Sequence, residues 1–190
     1  MGMMQSDVHT LLPLSGSTVH EILENDHEVI KGLLNRLTDS AARADRMQIL
    51  EQLKGALTIH NATEENIVYP ALDKVAGHKF ETLKLYNETA AADILLFQID
   101  TMLKEGDETK FAEKAQKLHD AVFKHIEAEE KSALPHLEKG ADSAEAQMLL
   151  QSVREFRGAI RFTPGSVPAS RTYTGEVGRQ TSTPSRGRTT

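Results

Sequence analysis

His60-Asn61-Ala62-Thr63-Glu64-Glu65, followed by Tyr69-Pro70, returns later in the chain as His125-Ile126-Glu127-Ala128-Glu129-Glu130, followed by Leu134-Pro135. Aligned without a gap, residues 60–74 and 125–139 share His, Glu, Glu, Pro, Leu and Lys at equivalent positions. Each copy sets a histidine and a glutamate four residues apart, which on an α-helix makes them neighbours on one face. Two such helices facing each other surround a point with two imidazoles and two carboxylates. That donor set suits iron and, less selectively, zinc or manganese.

Working outward, the spacing predicts helices on either side of both copies. Ser17-Thr18 offers a start, with Glu21 placed for a capping box. His20, Leu23, His27, Ile30, Leu34 and Leu37 then follow a helical stripe to about Asp39. A second helix, capped by Asp45, carries Ile49, Leu53, Ala56, Leu57, His60, Glu64, Ile67, Val68 and Ala71 inward. Pro70 should kink or end it, and Gly77 marks the turn. A third helix spans 79–104, with Leu85, Ala92, Leu95, Ile99 and Leu103 inward and Gly106 closing it. A fourth runs from 108 to 138, with Phe111, Ala115, Leu118, Val122, His125, Glu129 and Ala133 inward. A short fifth, 142–158, ends at Gly158. The expected fold is all-α: an up-down-up-down four-helix bundle built from a duplicated helical hairpin, plus a short C-terminal helix and a disordered tail. Residues 1–15 read as a flexible leader, 16–158 as the helical domain and 159–190 as the tail. From Thr163 on the tail is Thr, Ser, Pro, Gly and Arg with almost no apolar periodicity, a composition that does not fold. It holds four arginines against one glutamate.

Composition removes several classes of function. The chain has 190 residues and no cysteine, which excludes disulfides, iron–sulfur clusters, thiolate zinc sites and a cysteine nucleophile. It is compatible with a reducing compartment, and a cytoplasmic location is the expectation. The first residues lack a basic start and a proper apolar segment, so no secretory signal is expected. No apolar run reaches the roughly 18–20 residues that span a membrane. The formal net charge of −6 argues against nucleic-acid binding on a broad basic surface.

The duplication extends past the His-x-x-x-Glu helices. Asp26-His27-Glu28 precedes Leu33-Leu34 in the first half, as Glu88-Thr89-Ala90 precedes Leu95-Leu96 in the second. The ordered set of Asp-His with Leu-Leu, His60-x-x-x-Glu64 with Tyr-Pro, and His125-x-x-x-Glu129 with Leu-Pro resembles the hemerythrin-like family, also called the HHE cation-binding domain. The resemblance covers about residues 16–140. It implies a bundle holding two non-haem iron ions, with ligands at His27, His60, Glu64, His125 and Glu129, and with Glu64 and Glu129 bridging. The Glu-x-x-His order of ferritin-like di-iron bundles is the nearest competitor, and the order here is reversed. One position departs from the family, which usually has a histidine on the third helix. This chain has Tyr86-Asn87-Glu88-Thr89 there. Glu88 falls on the inner stripe and is the expected substitute ligand. Thr89 aligns with His27 on the Leu-Leu register, but a hydroxyl is a poor iron ligand. Tyr69 reads as a packing residue, or as one that gates or contacts the site. Glu65 and Glu130 read as solvated or as orienting an imidazole.

Each feature has a plainer reading. A lone inward histidine is commonly a hydrogen-bonded core residue, and one His-x-x-x-Glu pair is weak. Two copies in a duplicated frame, with three carboxylates on apolar stripes, demand compensation that a metal pair supplies. The expected ligand is dioxygen, peroxide or nitric oxide. Three roles remain open: an iron-binding sensor or storage module, a di-iron oxidoreductase handling peroxide or nitric oxide, and a metal-free structural interaction bundle.

Overall fold

The computed structural model of the protein describes residues 11–76 and 79–160. The expected turn at Gly77, and the tail beyond residue 160, lie outside the described residues. Helix α1 spans Val19–Asp39. Thr18 caps it by accepting from the Glu21 N–H, while the Glu21 carboxylate reaches back to Ser17. Helix α2 spans Arg43–Thr63 and runs through a wide turn, Glu64–Val68, into α3, Tyr69–Ala76. Its N-cap is Ala42, without a side-chain cap, so Asp45 sits inside the first turn instead of capping it. Helix α4 spans Lys79–Glu105 and ends at Gly106, whose φ of +79° closes the helix. Helix α5, Phe111–Ala128, runs through a second wide turn, Glu129–Ala133, into α6, Leu134–Gly140. Helix α7, Ser143–Ala159, starts with a complete capping box between Asp142 and Glu145. No strand occurs among the described residues.

The four long helices close a ring in which α1 packs on α2 and α5, and α4 packs on α2 and α5. Helix α7 lies across one side, against α1, α2 and the first wide turn. The bundle interior is divided into two apolar blocks. One holds Ile30, Leu34, Leu53, Leu57, Leu96, Ile99, Leu118 and Ile126. The other holds Ile22, Leu23, Val68, Tyr69, Leu85, Leu134 and Val153. Asp26, His27, His60, Thr63, Glu64, Thr89, His125 and Glu129 are all buried, and in sequence they fall between the two blocks on every long helix, except His125, which precedes Ile126 at the end of the first block. Burying so many polar groups has a large desolvation cost unless each is paired. Part of the expected leader joins the core: Leu12 is buried with Ile30 and Leu34, and Ser15 and Gly16 accept hydrogen bonds from Asn25 and Arg154. Two adjacent leucines have more to gain from the bundle than from water.

A second polar feature lies toward the opposite end of α2. The buried Lys54 ammonium donates to Glu51 at 2.7 Å and to buried Asp100 at 3.2 Å, and Lys104 covers the other oxygen of Asp100 at 2.6 Å. Asp100→Ala would leave Lys54 at depth with Glu51 alone. Urea denaturation is expected to show a loss of about 3 kcal/mol, the lower end for breaking a buried pair. A loss under about 1 kcal/mol, the surface value, would show that the pair is effectively solvated.

Candidate metal centre

The two halves of the repeat do not end at their prolines; they widen just before them and continue. Glu64–Val68 and Glu129–Ala133 are π-helical turns, in which the N–H groups of Tyr69 and Leu134 bond the carbonyls of Glu64 and Glu129, five residues back. Pro70 and Pro135 follow directly. A proline has no N–H to close an α-turn, and its ring excludes the carbonyl four residues back. Pro70 cannot donate to the Glu65 carbonyl; the Tyr86 hydroxyl does so instead, at 3.0 Å. Single π turns inside α-helices recur at functional sites. Their effect here is to bring residues five apart onto one face, so Tyr69 stands behind Glu64. On an uninterrupted α-helix it would lie about 140° round.

Four buried donors converge. One ligand atom each from His27, His60, Glu64 and Glu129 lie within 4.8 Å of one another and could hold a metal ion. His60 Nε2 is 3.2 Å from Glu64 Oε1, and His27 Nε2 is 3.4 Å from Glu129 Oε2. None of these four atoms has a hydrogen-bond partner. The other carboxylate oxygens face a second group. The Tyr69 hydroxyl donates its one proton to Glu129 Oε1 at 2.6 Å, and lies 3.1 Å from Glu64 Oε2 and 3.3 Å from His125 Nε2. The two carboxylates thus stand between an N,N side formed by His27 and His60 and an N,O side formed by His125 and Tyr69.

Every imidazole is held at its other nitrogen by a carboxylate. Glu130 faces His27 Nδ1 at 2.9 Å, Asp26 faces His60 Nδ1 at 3.4 Å, and Glu88 faces His125 Nδ1 at 3.4 Å. An ionised carboxylate only accepts, so each ring keeps a proton on Nδ1, and in its neutral form would turn the Nε2 lone pair toward the centre. This is the outer arrangement that orients metal-bound histidines. Behind each carboxylate stands a cation: Lys31 on Glu130, Arg157 on Asp26 and Lys84 near Glu88.

The structure places Glu88 on the far edge of the His125 ring, partly exposed and outside the four convergent donors. The register of the duplication carries the signal for that role. Asp26 and Glu88 both lie seven residues before the first leucine of their pair, and both meet the histidine of their own half. By the same register Thr89 stands where His27 does, and its hydroxyl donates to the Leu85 carbonyl. The sequence places Asp26 in the Asp-His motif without assigning it a role and gives no signal for Arg157, because neither belongs to a His-x-x-x-Glu pair and Arg157 comes from α7.

The clustering shifts ionisation in the metal-free protein. Burial opposes charge on His125, but Glu129, Glu64 and Glu88 outweigh it and push the imidazole up to about 9. His60 is raised as well, burial being outweighed by Glu64, Asp26 and Glu129. Glu129 is lowered: burial resists its charge, and His125, His27 and His60 favour it more strongly. A histidine with a raised folded pKa contributes stability that is complete below its unfolded value of about 6.5. That contribution is lost as pH rises through the folded value. The melting temperature of metal-free protein should therefore fall from about pH 6.5 to 9. Calorimetry at constant ionic strength checks this, and a flat profile would count against charged imidazoles in the apo core.

Beside His60 and His125 lies a small pocket walled by Ile30, Leu57, Ala92, Val122 and Ile126, with Asn61, Glu88 and Thr89 also lining it. Its wall is largely apolar. No described helix is long and apolar enough to cross a membrane.

Comparison with known proteins points the same way. The model of one family, described as the hemerythrin HHE cation binding domain, matches residues 18–137. An uncharacterized hemerythrin-like protein of Schizosaccharomyces pombe is 26% identical over 147 residues, covering 76% of this chain and 66% of the relative. A DNA nickase of Nostoc sp. is 25% identical over 141 residues, covering 74% of this chain and 38% of that protein. The chain thus spans less than two thirds of the length of either relative. No solved structure matches at a significant level.

Proposed function

The chain belongs to the hemerythrin HHE cation binding domain family, and from that premise we propose that it is a non-haem di-iron protein whose core binds or reacts with dioxygen, peroxide or nitric oxide. The observation that carries this reading is the set of four buried, partnerless donor atoms on His27, His60, Glu64 and Glu129. A purely structural core would leave them unsatisfied, at a cost of about 1–3 kcal/mol for each group. Iron is the cation that family membership favours, and the donor chemistry of imidazole and carboxylate fits it.

In this reading His27 and His60 with Glu64 and Glu129 would hold one metal, and His125 and Tyr69, beside the other oxygens of the same two carboxylates, would hold the second. Tyr69 then supplies the donor that the third helix lacks, and Glu88 acts through His125. Bound iron would supply electrons and open coordination positions for the small oxidant. The protein orients the imidazoles through Glu130, Asp26 and Glu88. It limits water through Ile30, Val122 and Ile126. The Tyr69 hydroxyl is kept protonated in the metal-free state by burial and by Glu64 and Glu129; as a phenolate it would be one further oxygen donor for a bound cation.

The test is anaerobic reconstitution with ferrous iron, metal analysis per chain, and rapid mixing with dioxygen, peroxide and nitric oxide. About two irons per chain, as a di-iron centre requires, with an optical change on mixing, is the expected result. A chain that takes up no iron would return the bundle to a structural role. Catalytic turnover of peroxide faster than that of free iron would separate an enzyme from a sensor or store.

A further inference from the structure

Of the three cations behind the histidine-bound carboxylates, one differs in kind. Lys84 is 61% exposed, and Lys31 keeps 22% of its side chain in water. Arg157 is 1% exposed, among the most completely buried side chains of the described residues. Its Nη1 donates to Asp26 Oδ1 at 3.0 Å and its Nη2 to Asp26 Oδ2, while Nε donates to the Thr63 hydroxyl at 3.0 Å. Thr63 in turn donates to the Ile59 carbonyl at 2.7 Å. The guanidinium fork thereby holds α1 through Asp26 and the end of α2 through Thr63. It comes from the last turn of α7, twenty residues beyond the stretch that matches the family.

We propose that Arg157 is a positioning residue for the metal centre: its fork fixes the Asp26 carboxylate against His60 Nδ1 and so aims His60 Nε2 at the site, making α7 a clamp on that ligand. The inference rests on the di-iron reading for its consequence, but the hold on His60 exists without metal. A buried carboxylate held at one oxygen can swing about its χ torsions. Held at both by a planar fork it cannot, which is the geometric advantage of arginine over lysine. The remaining lone pairs of Asp26 Oδ2 then face one direction, and His60 lies there at 3.4 Å. Thr63 sets the guanidinium plane from the third side. His27 and His125 are oriented by carboxylates whose cations are solvated. His60 depends on a helix that packs across the outside of the bundle, so docking of α7 and geometry at one of the two metal positions are coupled.

The full chain labelled with 15N-histidine provides the test. In metal-free wild type the His60 Nδ1 proton is expected as a downfield, slowly exchanging signal. Arg157→Gln should lose that signal to exchange, and Arg157→Lys should retain it weakened. Val153→Ala, which loosens the buried apolar contact of the same helix without touching the fork, should keep it. With ferrous iron present, chelator competition should show apparent affinity at one of two metals falling about 10–100-fold in Arg157→Gln, the usual cost of losing an outer partner. Survival of the His60 proton in Arg157→Gln, or equal loss in Val153→Ala, would overturn the role. If wild type held no iron yet its His60 proton still depended on Arg157, the di-iron reading would fall and the clamp would stand.

Discussion

Glu64→Ala is expected, on the proposed di-iron reading, to leave a folded protein that retains neither iron. The Glu64 carboxylate stands between both donor groups: Oε1 is 3.2 Å from His60 Nε2, while Oε2 lies 3.1 Å from the Tyr69 hydroxyl and 3.9 Å from His125 Nε2. Removing it takes one donor from each metal position at once. It also removes a negative charge that would offset two cations in a medium where uncompensated charge is costly. The apparent iron affinity should fall by more than about 100-fold, beyond what the loss of an outer partner costs. The fold should survive, because Tyr69 keeps Glu129 as acceptor at 2.6 Å and the apolar blocks on either side are untouched. His27→Ala is the control. Its Nε2 faces only the His60 side, through Glu129 Oε2, so one iron should remain. Metal analysis per chain beside far-ultraviolet circular dichroism makes the comparison. Wild-type iron content in Glu64→Ala would remove this carboxylate from the centre.

If Tyr69 is a ligand of the proposed di-iron centre, Tyr69→Phe is expected to abolish a visible charge-transfer band of the ferric protein and to weaken one iron by about 10–100-fold, leaving the other in place. The hydroxyl is the only Tyr69 atom among the donors. The ring itself packs edge-on against Tyr86, with centroids 5.0 Å apart, and Phe keeps that contact. A phenolate bound to ferric iron absorbs in the visible, whereas carboxylate and imidazole ligands alone do not give that transition. The metal-free variant should also lose about 1–3 kcal/mol of stability, because buried Glu129 Oε1 loses its donor. An unchanged spectrum and unchanged iron content would make Tyr69 a hydrogen-bond donor to Glu129 and nothing more.

Much of the molecule was legible in order along the chain. The apolar stripes predicted the long helices closely: α1 ends at Asp39 and α4 runs from Lys79 to Glu105. Local errors came from chemistry the pattern does not carry. Asp45 looked like a cap, yet the chain enters α2 at Arg43, and the fourth long helix starts at Phe111 instead of 108. Helix ends are set by a few competing hydrogen bonds, so periodicity locates the body of a helix better than its first turn. The π turns were signalled only by Pro70 and Pro135, which announce a disturbance without saying whether the helix bends, ends or widens. Widening decides the site, since it carries Tyr69 round to Glu64 and His125.

The sequence by itself determined the helical class, the duplicated frame and the pair of histidine–glutamate faces, because all three follow from spacing within one helix. What only the tertiary structure decided is which atom of each residue meets which partner. Asp26 sits on an inner face just as Glu64 does, and Glu88 at the partly exposed edge of one. Whether such a carboxylate reaches the centre or the back of an imidazole depends on the rotation of its helix against the next. Arg157 illustrates the same limit from further away. A buried arginine on a fifth helix has no periodic signal, and its role exists only once α7 is laid across α1 and α2.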